Sequence, residues 1–432
     1  MKHSARIQAA IEINGRIAKS PIPMDNTLRD YMAQRRFIGS KDRADIVDRV
    51  YRQMRCHARL GWHLEQAGAP DTPRTRMIAD LMLNEGLAPH ELDAIFAGGR
   101  HEPESPDDAE IALAEKLTGL TLETDTMPDT VKAECPAWAE EKLRDRFGAT
   151  FVDEMMFMQN AAPLDLRVNT LKSSREDAIS SLKGQKVFTA PTPYSPVGLR
   201  VDGKPYMAET KAFLKGIVEI QDEGSQLIAL ACNAAPGMRV LDFCAGGGGK
   251  TLGIAASMNN KGNIVAMDID ARRLEKGKVR YRKAGVHNVE MRCLDDEQHR
   301  KWLRRQKATM DVVLIDAPCS SSGTWRRNPD LRWRHYGPSL EDIKTMQADI
   351  LERVADKVKS GGRLVYATCS LFREENEEQI EKFLQNHPDY KVLPIAQAVP
   401  DGVSVPGDGP YLSLSPAAHN TDGFFTAVLI RQ

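Results

Sequence analysis

Short apolar segments that alternate with helical patterns in the C-terminal part of the chain restrict the fold more than any other feature. The segments lie at 240–243, 264–267, 289–292, 312–315 and 363–366. Between the last two, apolar residues from Ile343 to Val358 recur at helical spacing. Such alternation predicts an α/β fold with a doubly wound, mostly parallel sheet. In that architecture ligands bind beyond the carboxyl ends of the strands.

Two cysteines directly follow two of these predicted strands. Cys319 closes a DAPC motif after the strand at 312–315, and Cys369 lies in a TCS motif after the strand at 363–366. If both strands belong to one parallel sheet, their ends lie one or two strand spacings apart, about 5–10 Å. A single buried cysteine is usually a small core residue. Two thiols at matching strand ends, with Asp316 three residues before the first, instead suit covalent chemistry on an electron-poor ring.

A glycine-rich loop, CAGGGGKT at 244–251, follows the first predicted strand. A glycine run between a strand and a helix lets backbone amides approach a ligand closely. The loop is not a P-loop, because Cys244 occupies the position of the first glycine, and it is not a GxGxxG loop, because Thr251 replaces the last glycine. Asp268 ends the next strand, where an acid commonly binds ribose hydroxyls. This pattern leaves NAD and S-adenosylmethionine both open.

Composition bounds the class of protein. The 432 residues, 41% of them apolar and 28% charged, have room for about three domains of an ordinary soluble protein. The 7 cysteines are an odd number without a CxxC pair, which argues against a disulfide framework or a zinc site, so we expect no metal. The first residues lack the apolar core of a secretory signal, and no apolar run is long enough to span a membrane. We therefore expect a cytoplasmic monomer.

The net charge of −1 conceals a strong asymmetry along the chain. Residues 1–60 carry 13 Lys and Arg against 6 Asp and Glu, whereas residues 61–130 carry 4 against 15. Further basic clusters lie at 272–283, 300–305 and 326–334. Solvated helix faces would explain any one cluster. Because the last of them directly follows the Cys319 motif, the distribution favours a nucleic acid as partner.

The chain before the predicted sheet divides into two regions. Residues 1–125 show helical patterns, with one apolar stripe from Ile46 to Met54. Arginines 52, 55 and 59 lie on another side, either as a candidate phosphate-facing edge or as ordinary surface arginines. The segments 98–108 and 121–136 predict loops. Residues 136–230 combine a helical pattern at 138–147 with strand patterns at 164–169 and 197–201, which predicts a small α+β module.

Longer sequence blocks resemble a known family. The strings CAGGGGKT, DAPCSSSGTWRRNPDLRW, YATCSLFREENE and HNTDGFF are similar to signature blocks of the RNA cytosine-5 methyltransferases of the Nol/Nop/Sun family. DLRVNTLK and IQDEGSQL resemble the blocks that precede them, so the resemblance covers residues 136–432 in matching order. The basic helical N-terminus resembles, more weakly, the NusB-like RNA-binding extension of the bacterial Sun-type ribosomal RNA enzymes.

The resemblance implies an architecture in three parts. Residues 231–432 would form a class I S-adenosylmethionine-dependent methyltransferase domain with a Rossmann-like doubly wound sheet. Residues 136–230 would form an α+β RNA-binding module, and residues 1–130 an all-helical N-terminal domain. S-adenosylmethionine would then be the cofactor and RNA the partner.

The resemblance also implies a chemical role for each motif. Carbon 5 of cytosine becomes nucleophilic when a thiolate adds at carbon 6, and in the family the Thr-Cys cysteine, here Cys369, supplies that thiolate. Cys319 would assist release of the product, while Asp316 would hold the cytosine edge near N3. Lys250 would face the same pocket as a cation. The residues implied for the methyl-donor site are Asp242, Cys244, Ala245, Gly246, Gly247, Gly248, Gly249, Lys250, Asp268, Arg273, Asp295, Asp316 and Pro318.

Other assignments have a structural alternative. RNA contacts are expected at Arg167, Asn169, Arg326 and Arg327, although a strand-edge role suits the first two equally well. Trp325 and Trp333 could stack on bases, but we expect at least one of them to pack in a core. Since Asp295 and Asp296 are adjacent, the sequence leaves open which of them faces the cofactor.

Three positions depart from the family pattern. Gly246-Gly247 replaces an Ala-Pro pair, which should loosen the loop in the unbound state. Ser321 and Asn420 stand where glycine is common. Because none of these changes removes a chemical group, we expect them to tune the site.

We therefore expect an enzyme that methylates carbon 5 of a cytosine in RNA through a covalent cysteine–cytosine intermediate. Small-subunit ribosomal RNA is favoured because of the helical extension, and an unstacked single strand is the expected substrate form. The alternatives are a transfer RNA methyltransferase and a non-catalytic RNA-binding ribosome assembly factor. An NAD-dependent enzyme on the same sheet would leave both cysteines unexplained.

Overall fold

Contacts group the chain into two units. The computed structural model describes residues 1–407 and 409–432. One unit, here called the helical unit, comprises Met1–Ala161 and Trp325–Gly337, and the other, called the sheet unit, comprises Ala162–Thr324 and Pro338–Gln432. This grouping is based on contacts within each unit and does not test the predicted domain boundaries. The domains 1–130, 136–230 and 231–432 therefore stay a prediction.

The helical unit consists of helices, and the start of the helix Pro73–Glu85 shows how the sequence fixes a helix end. Thr72 accepts a hydrogen bond from the Thr75 amide, and Pro73 occupies the first helical position, where its missing N–H costs nothing. The helices are α1 (His3–Lys19), α2 (Met24–Gln34), α3 (Ser40–Arg55), α4 (His57–Ala67), α5 (Pro73–Glu85), α6 (Leu92–Ile95), α7 (Asp108–Leu117), α8 (Asp129–Lys132), α9 (Ala137–Phe147) and α10 (Phe151–Phe157).

Residues from α1 to α7 form the core of the helical unit, and Ile7, Leu60 and Phe96 are completely buried in it. The predicted apolar stripe lies on α3, and Ile46 and Val50 reach this core. The loop predicted at 98–108 is confirmed up to the start of α7. The loop predicted at 121–136 is wrong in part, because α8 forms there. A helix of four residues is too short for periodicity to reveal.

Opposite charges meet inside the helical unit. Arg52 lies 2.5 Å from a carboxylate oxygen of buried Asp80, and Arg49 lies 2.5 Å from one of Glu85. The acidic segment 61–130 therefore packs against the basic segment 1–60. The candidate phosphate-facing edge is corrected accordingly, because Arg52 and Arg59 are bound to carboxylates and the Arg55 guanidinium donates to the Arg326 carbonyl at 3.2 Å.

The segment Trp325–Gly337, which follows the first cysteine motif in sequence, belongs to the helical unit. Trp325 is completely buried, which confirms that at least one of the two tryptophans packs in a core. Asp330 accepts a hydrogen bond from the Met24 amide at 2.9 Å, and the Trp333 ring lies 4.8 Å from the ring of His57. Contacts with residues some 300 positions earlier therefore hold this segment.

A four-stranded antiparallel sheet opens the sheet unit. Its strands are in the order β2-β3-β1-β4, and the strands predicted at 164–169 and 197–201 are confirmed as β1 and β3. The elements are β1 (Asp165–Val168), α11 (Arg175–Lys183), β2 (Thr189–Pro191), β3 (Gly198–Val201), α12 (Lys211–Leu214) and β4 (Val218–Ile220). Leu166 and Leu199 are fully buried in the core of this module.

The large sheet follows, and its first five strands are those predicted from the alternation. Its elements are α13 (Glu223–Ala231), β5 (Arg239–Asp242), α14 (Gly249–Ser257), β6 (Asn263–Asp268), α15 (Ala271–Ala284), β7 (Val289–Cys293), α16 (Glu297–Arg304), β8 (Met310–Asp316), α17 (Leu340–Ala355), β9 (Val358–Thr368), α18 (Glu377–Asn386), β10 (Tyr390–Leu393), α19 (Ile395–Ala398), β11 (Leu412–Leu414), α20 (Pro416–His419) and β12 (Phe424–Arg431). Strands β7, β6, β5, β8 and β9 are parallel in that order. Beyond β9 the sheet continues with β12, which is antiparallel to β9, and with β10, which is antiparallel to β12.

Both faces of this sheet are buried, which explains the continuous apolar runs. Val240 and Val312 point to one core, while Leu241 and Val313 point to the other. Phe425 is buried in the last strand. Within the described ranges, none of the helices combines the length and the apolar character needed to cross a bilayer.

Candidate active site

Three parallel strands end together near the middle of the sheet. β5 ends at Asp242, β8 at Asp316 and β9 at Thr368, with β8 between the other two. The chain runs from β5 outward to β6 and β7 and then returns to β8 on the other side of β5. The boundary between β5 and β8 is therefore the topological switch point, where doubly wound sheets bind their ligands.

Cys319 and Cys369 lie side by side at this edge. Because β8 and β9 are hydrogen-bonded neighbours, with Asp316 opposite Ala367, the loops that follow them start one strand spacing apart. The two Sγ atoms are 3.4 Å apart, and both side chains are partly exposed. The predicted convergence of the two strand ends is confirmed.

The two thiols differ in their tendency to ionise. A hydrogen bond from the Cys319 thiol lowers the pKa of Cys369, and Ser321 Oγ, 3.6 Å from its sulfur, acts in the same direction. The same bond, together with burial, raises the pKa of Cys319 well above its usual value. Cys369 is therefore the sulfur that carries a thiolate first, with Cys319 as its hydrogen-bond donor.

A partly buried ion pair lies next to the sulfurs. Lys250, in the first turn of α14, places Nζ 2.7 Å from an Asp316 carboxylate oxygen. Burial opposes the charged form, but Asp316 outweighs it and raises the pKa of Lys250, so the side chain is a cation. That cation also lies 5.8 Å from the centre of the Phe424 ring and lowers the pKa of Cys369. The site thus contains a thiol with a lowered pKa, a carboxylate and a fixed positive charge.

The glycine loop passes closely over its neighbours. Gly246 has φ +54, and a Cβ there would lie 2.6 Å from Arg273 Nη2, while a Cβ at Gly248 (φ +78) would overlap the Tyr281 ring. A side chain is therefore excluded at Gly248, whereas one at Gly246 would be strained by its positive φ and would displace the Arg273 guanidinium. Asp268 accepts a hydrogen bond from the Gly246 amide at 2.8 Å, which fixes the loop against the end of β6.

Asp242 retains an unsatisfied carboxylate oxygen. It is completely buried, and its Oδ2 accepts a hydrogen bond from Thr251 Oγ1 at 2.6 Å. Oδ1 has no partner within the part of the chain that the structure describes. Burial raises the pKa of Asp242 to about 7. A buried polar atom without a partner is uncommon in native proteins, and beside a glycine cradle it fits a bound polar ligand such as the methyl donor.

The other residues expected at the donor site follow the ends of β5, β7 and β8. Asp296 caps α16 by accepting from the Gln298 amide at 2.7 Å, whereas the exposed carboxylate of Asp295 caps none of the described helices. Burial raises the pKa of Cys244, which makes it a neutral thiol. Three of the remaining residues hold the glycine loop through their backbone: Ala245 N donates to Met267 O, Gly247 O accepts from Arg280, and Gly249 O accepts from Arg167. In the loop that follows β8, Pro318 O instead accepts from Gln347.

Three of the four expected RNA contacts are internal. The guanidinium of buried Arg167 donates to Gly249 O at 2.7 Å, and Asn169 donates to Gly216 O and Ala284 O. Arg326 is 1% exposed and lies over the Phe157 ring. These partners give the three side chains structural roles, and their contact with RNA stays a prediction. Arg327 is partly exposed, and its contact with RNA stays a prediction.

Two departures from the family pattern occupy the left-handed backbone region. Ser321 has φ +57 and Asn420 has φ +53. This conformation explains why glycine is common at both positions, and asparagine tolerates it better than most residues. The Ser321 hydroxyl adds a polar group beside Cys369 that glycine would lack.

Sequence reasoning missed Glu375, which joins the two cysteine loops. Its carboxylate accepts hydrogen bonds from the Ser320 amide at 2.8 Å and from the hydroxyls of Ser320 and Ser370. Gln347 of α17 donates to it at 3.1 Å. Ser320 and Ser370 each directly follow one of the two cysteines, so one buried side chain contacts both loops. The only signal in the sequence is its position within the YATCSLFREENE block.

Two family models match the chain. Residues 229–430 match the model described as "16S rRNA methyltransferase RsmB/F", and residues 135–207 match "Methyltr_RsmF/B-like, ferredoxin-like domain". The first match contains the glycine loop and both cysteines. The second contains the first three strands of the small antiparallel sheet.

Individual proteins show the same likeness. "Probable ribosomal RNA small subunit methyltransferase B" from Synechocystis sp. is 35% identical over 296 residues, which cover 68% of this chain. This chain spans 66% of the length of that relative. The crystal structure of PH0851 has a TM-score of 0.77 at 26% identity and covers 100% of this chain and 99% of its own. A methyltransferase homolog protein from Pyrococcus horikoshii has a TM-score of 0.60 at 29% identity, with 70% of this chain and 98% of that one covered.

Proposed function

Because the chain belongs to the RsmB/F family of 16S rRNA methyltransferases over residues 135–207 and 229–430, we propose that it methylates carbon 5 of a cytosine in small-subunit ribosomal RNA with S-adenosylmethionine as the donor. The observation that carries the proposal is the pair of sulfurs 3.4 Å apart, one inclined to be a thiolate and the other a thiol. A pair of this kind supports addition to a ring and release from it.

The residues that would hold S-adenosylmethionine surround the glycine loop. Asp268 is assigned to the ribose, Asp295 to the outer rim and Asp242, through its unpartnered oxygen, to the buried end of the site. When bound, the cofactor supplies an electrophilic methyl group. The glycine run at 246–249 supports this assignment, since backbone without side chains lets a ligand approach closely.

The protein's own residues carry the other steps. The Cys369 thiolate forms a bond from Sγ to carbon 6 of cytosine, and the electron pair displaced in the ring makes carbon 5 nucleophilic. Asp316, held by Lys250 at 2.7 Å, would bind the cytosine edge near N3 and stabilise the charge that develops there.

Release reverses the first bond. Once carbon 5 carries the methyl group, its proton passes to a base, the electron pair returns to the ring, and the bond between carbon 6 and Cys369 Sγ breaks. We assign the base to Cys319, because its sulfur lies 3.4 Å from that of Cys369. Once the Cys369 sulfur is bonded to carbon 6, the Cys319 thiol gives its proton to solvent, and the thiolate then takes the proton of carbon 5 while the electron pair of the carbon–sulfur bond leaves with Cys369.

Ribosomal RNA is the proposed substrate because the Synechocystis relative is named as a methyltransferase of small-subunit ribosomal RNA. The expected cytoplasmic location and monomeric state stay predictions.

A transfer assay tests the function directly. The protein is incubated with S-adenosylmethionine labelled in the methyl group and with either deproteinised small-subunit ribosomal RNA or transfer RNA, and the RNA is then digested to nucleosides. We expect the label in 5-methylcytidine from ribosomal RNA, with none for Cys369→Ala. Label from transfer RNA alone would move the substrate assignment, and label in any other nucleoside would overturn the reaction.

A further inference from the structure

Glu375 is a buried carboxylate without a cationic partner. It is completely buried, and among the ranges 1–407 and 409–432 no lysine, arginine or histidine forms an ion pair with it. Its hydrogen-bond donors are one backbone amide, one side-chain amide and two serine hydroxyls. Burial raises its pKa. A carboxyl group in such surroundings needs all of its donors, because each unmade hydrogen bond costs free energy.

The positions of those donors connect Glu375 with both sulfurs. Ser320 is bonded to Cys319 in the chain, and Ser370 is bonded to Cys369. The two hydroxyls also lie 3.1 Å from each other. Gln347 contacts the carboxylate and, at 2.9 Å, the carbonyl of Pro318, the residue before Cys319. The backbone on both sides of Cys319 is therefore tied to Glu375 and to its neighbour Gln347.

A second set of bonds orients Glu375 itself. The turn that carries it, Arg373–Glu375, follows the Cys369 loop, and the Tyr366 hydroxyl of β9 donates to the Glu375 carbonyl at 2.7 Å. Asn376 donates to the carbonyl of Ser370 at 2.9 Å and accepts from the hydroxyl of Thr368. The carboxylate thus extends from a segment fixed to β9 across to the loop that follows β8.

We propose that Glu375 is a positioning residue that sets the separation of Cys319 and Cys369 by holding Ser320 and Ser370 on one carboxylate. The proposal rests on the proposed function only for its consequence in catalysis, since the separation of the sulfurs is a property of the protein alone. It assigns no contact with RNA or with the methyl donor to Glu375. The reaction needs both sulfurs at one cytosine, and a displacement of about 1 Å can cost on the order of a hundredfold in rate.

Bridging of the two thiols by a trivalent arsenical measures that separation without RNA or cofactor. Phenylarsine oxide condenses with two thiols, forming two arsenic–sulfur bonds and releasing one water, so it captures only a thiol pair held close together. The full-length protein is treated with the reagent, and the bridged peptide pair is quantified by mass spectrometry against time. Cys319→Ala identifies the signal from this pair.

Four variants separate positioning from general stability. Glu375→Ala removes every bond, Glu375→Gln keeps the shape and removes the charge, and Ser320→Ala removes one hydroxyl. Glu374→Gln is the matched control, because Glu374 is the adjacent carboxylate and pairs instead with Lys344 at 2.9 Å. Circular dichroism at the assay temperature establishes that each variant is folded.

We expect Glu375→Ala to slow bridging about tenfold or more, Glu375→Gln and Ser320→Ala to slow it by less, and Glu374→Gln to leave it unchanged. The kcat of methyl transfer should fall in the same order, with KM for RNA unchanged. Bridging at the wild-type rate in folded Glu375→Ala, or in folded Ser320→Ala and Glu375→Gln if the alanine variant does not fold, would overturn the proposal. Bridging that responds as expected in a protein that transfers no methyl group would reject the proposed function and leave the positioning role standing.

Discussion

Two buried glutamates, one in each unit, show two ways of holding a carboxylate away from water. In the helical unit, Glu134 accepts from Arg59 Nε at 3.0 Å and from the amides of Ala58 and Arg59 at 2.7 and 3.1 Å. In the sheet unit, Glu375 is held by neutral donors alone. The first arrangement joins α4 to the segment before α9, and the second joins two reactive loops. In the helical unit an ion pair holds two packed segments together. In the sheet unit the donors to Glu375 are neutral, so they place no positive charge beside the thiols.

The comparison extends to the surrounding charges. In the helical unit, basic and acidic side chains from distant segments are matched, as in the contacts of Arg52 with Asp80 and of Arg49 with Glu85. At the strand ends of the sheet unit, Asp242 keeps an unpartnered oxygen and Cys369 has a lowered pKa. Unmatched groups of this kind concentrate at functional sites, where surroundings are arranged to shift a pKa.

The largest expected effect is the loss of the nucleophile. Cys369→Ala should reduce methyl transfer to ribosomal RNA by roughly 10⁴-fold or more, as is found when an enzyme loses its nucleophile. The free energy of unfolding should change by no more than about 1 kcal/mol, because the side chain is small and partly exposed. Radiolabel transfer and urea unfolding measure the two quantities. Transfer within tenfold of the wild type would contradict the assignment of Cys369.

The helical unit should show the opposite response. Arg59→Ala leaves Glu134 buried without its cation, so the free energy of unfolding should fall by about 3–5 kcal/mol. Glu140→Gln is the control, since it breaks only the exposed pair with Arg144 and should cost about 0.5 kcal/mol or less. Urea unfolding monitored by circular dichroism measures both. An equal loss for the two variants would show that the buried pair contributes nothing beyond a surface pair.

A smaller effect is the pH dependence of stability that arises from Asp242, whose Oδ1 has no hydrogen-bond partner among the described residues. Its pKa is about 7 in the folded protein and about 4 when unfolded. The stability associated with the protonated form is therefore complete below the unfolded pKa and is lost as pH rises through about 7. Between pH 5 and pH 8 the wild type should lose roughly 2–3 kcal/mol more of its free energy of unfolding than Asp242→Asn does. Parallel pH profiles for the two proteins would contradict this account of Asp242.

Much of the sheet and of the candidate site could be predicted because burial leaves a continuous pattern in the sequence. Parallel strands covered on both faces read as apolar runs, so β5, β8 and β9 were identifiable, and the residues after each run follow by chain order. Asp316, Cys319 and Cys369 were predicted in this way. Their mutual distance also follows from the pairing of β8 with β9.

The burial and the partners of other residues could not be predicted, because they depend on contacts between residues far apart in the sequence. Glu375 lies in an acidic run with Glu374 and Glu377, and no local pattern distinguishes the buried member from its neighbours. Arg326 follows the Cys319 motif so closely that an RNA contact was the natural expectation, yet its segment packs in the helical unit. Arg52 and Arg59 were likewise assigned to phosphates, because their acidic partners lie 28 and 75 residues away.

The most direct test of the two sulfur roles is a denaturing gel of small-subunit ribosomal RNA and S-adenosylmethionine mixed with wild type, Cys319→Ala, Cys369→Ala or the double variant. We predict a stable protein–RNA adduct for Cys319→Ala only, because Cys369 still adds to the cytosine and release then fails. The double variant should form none. An adduct with Cys369→Ala would reverse the roles of the two cysteines, and methyl transfer by Cys369→Ala at the wild-type rate would contradict covalent catalysis by this pair.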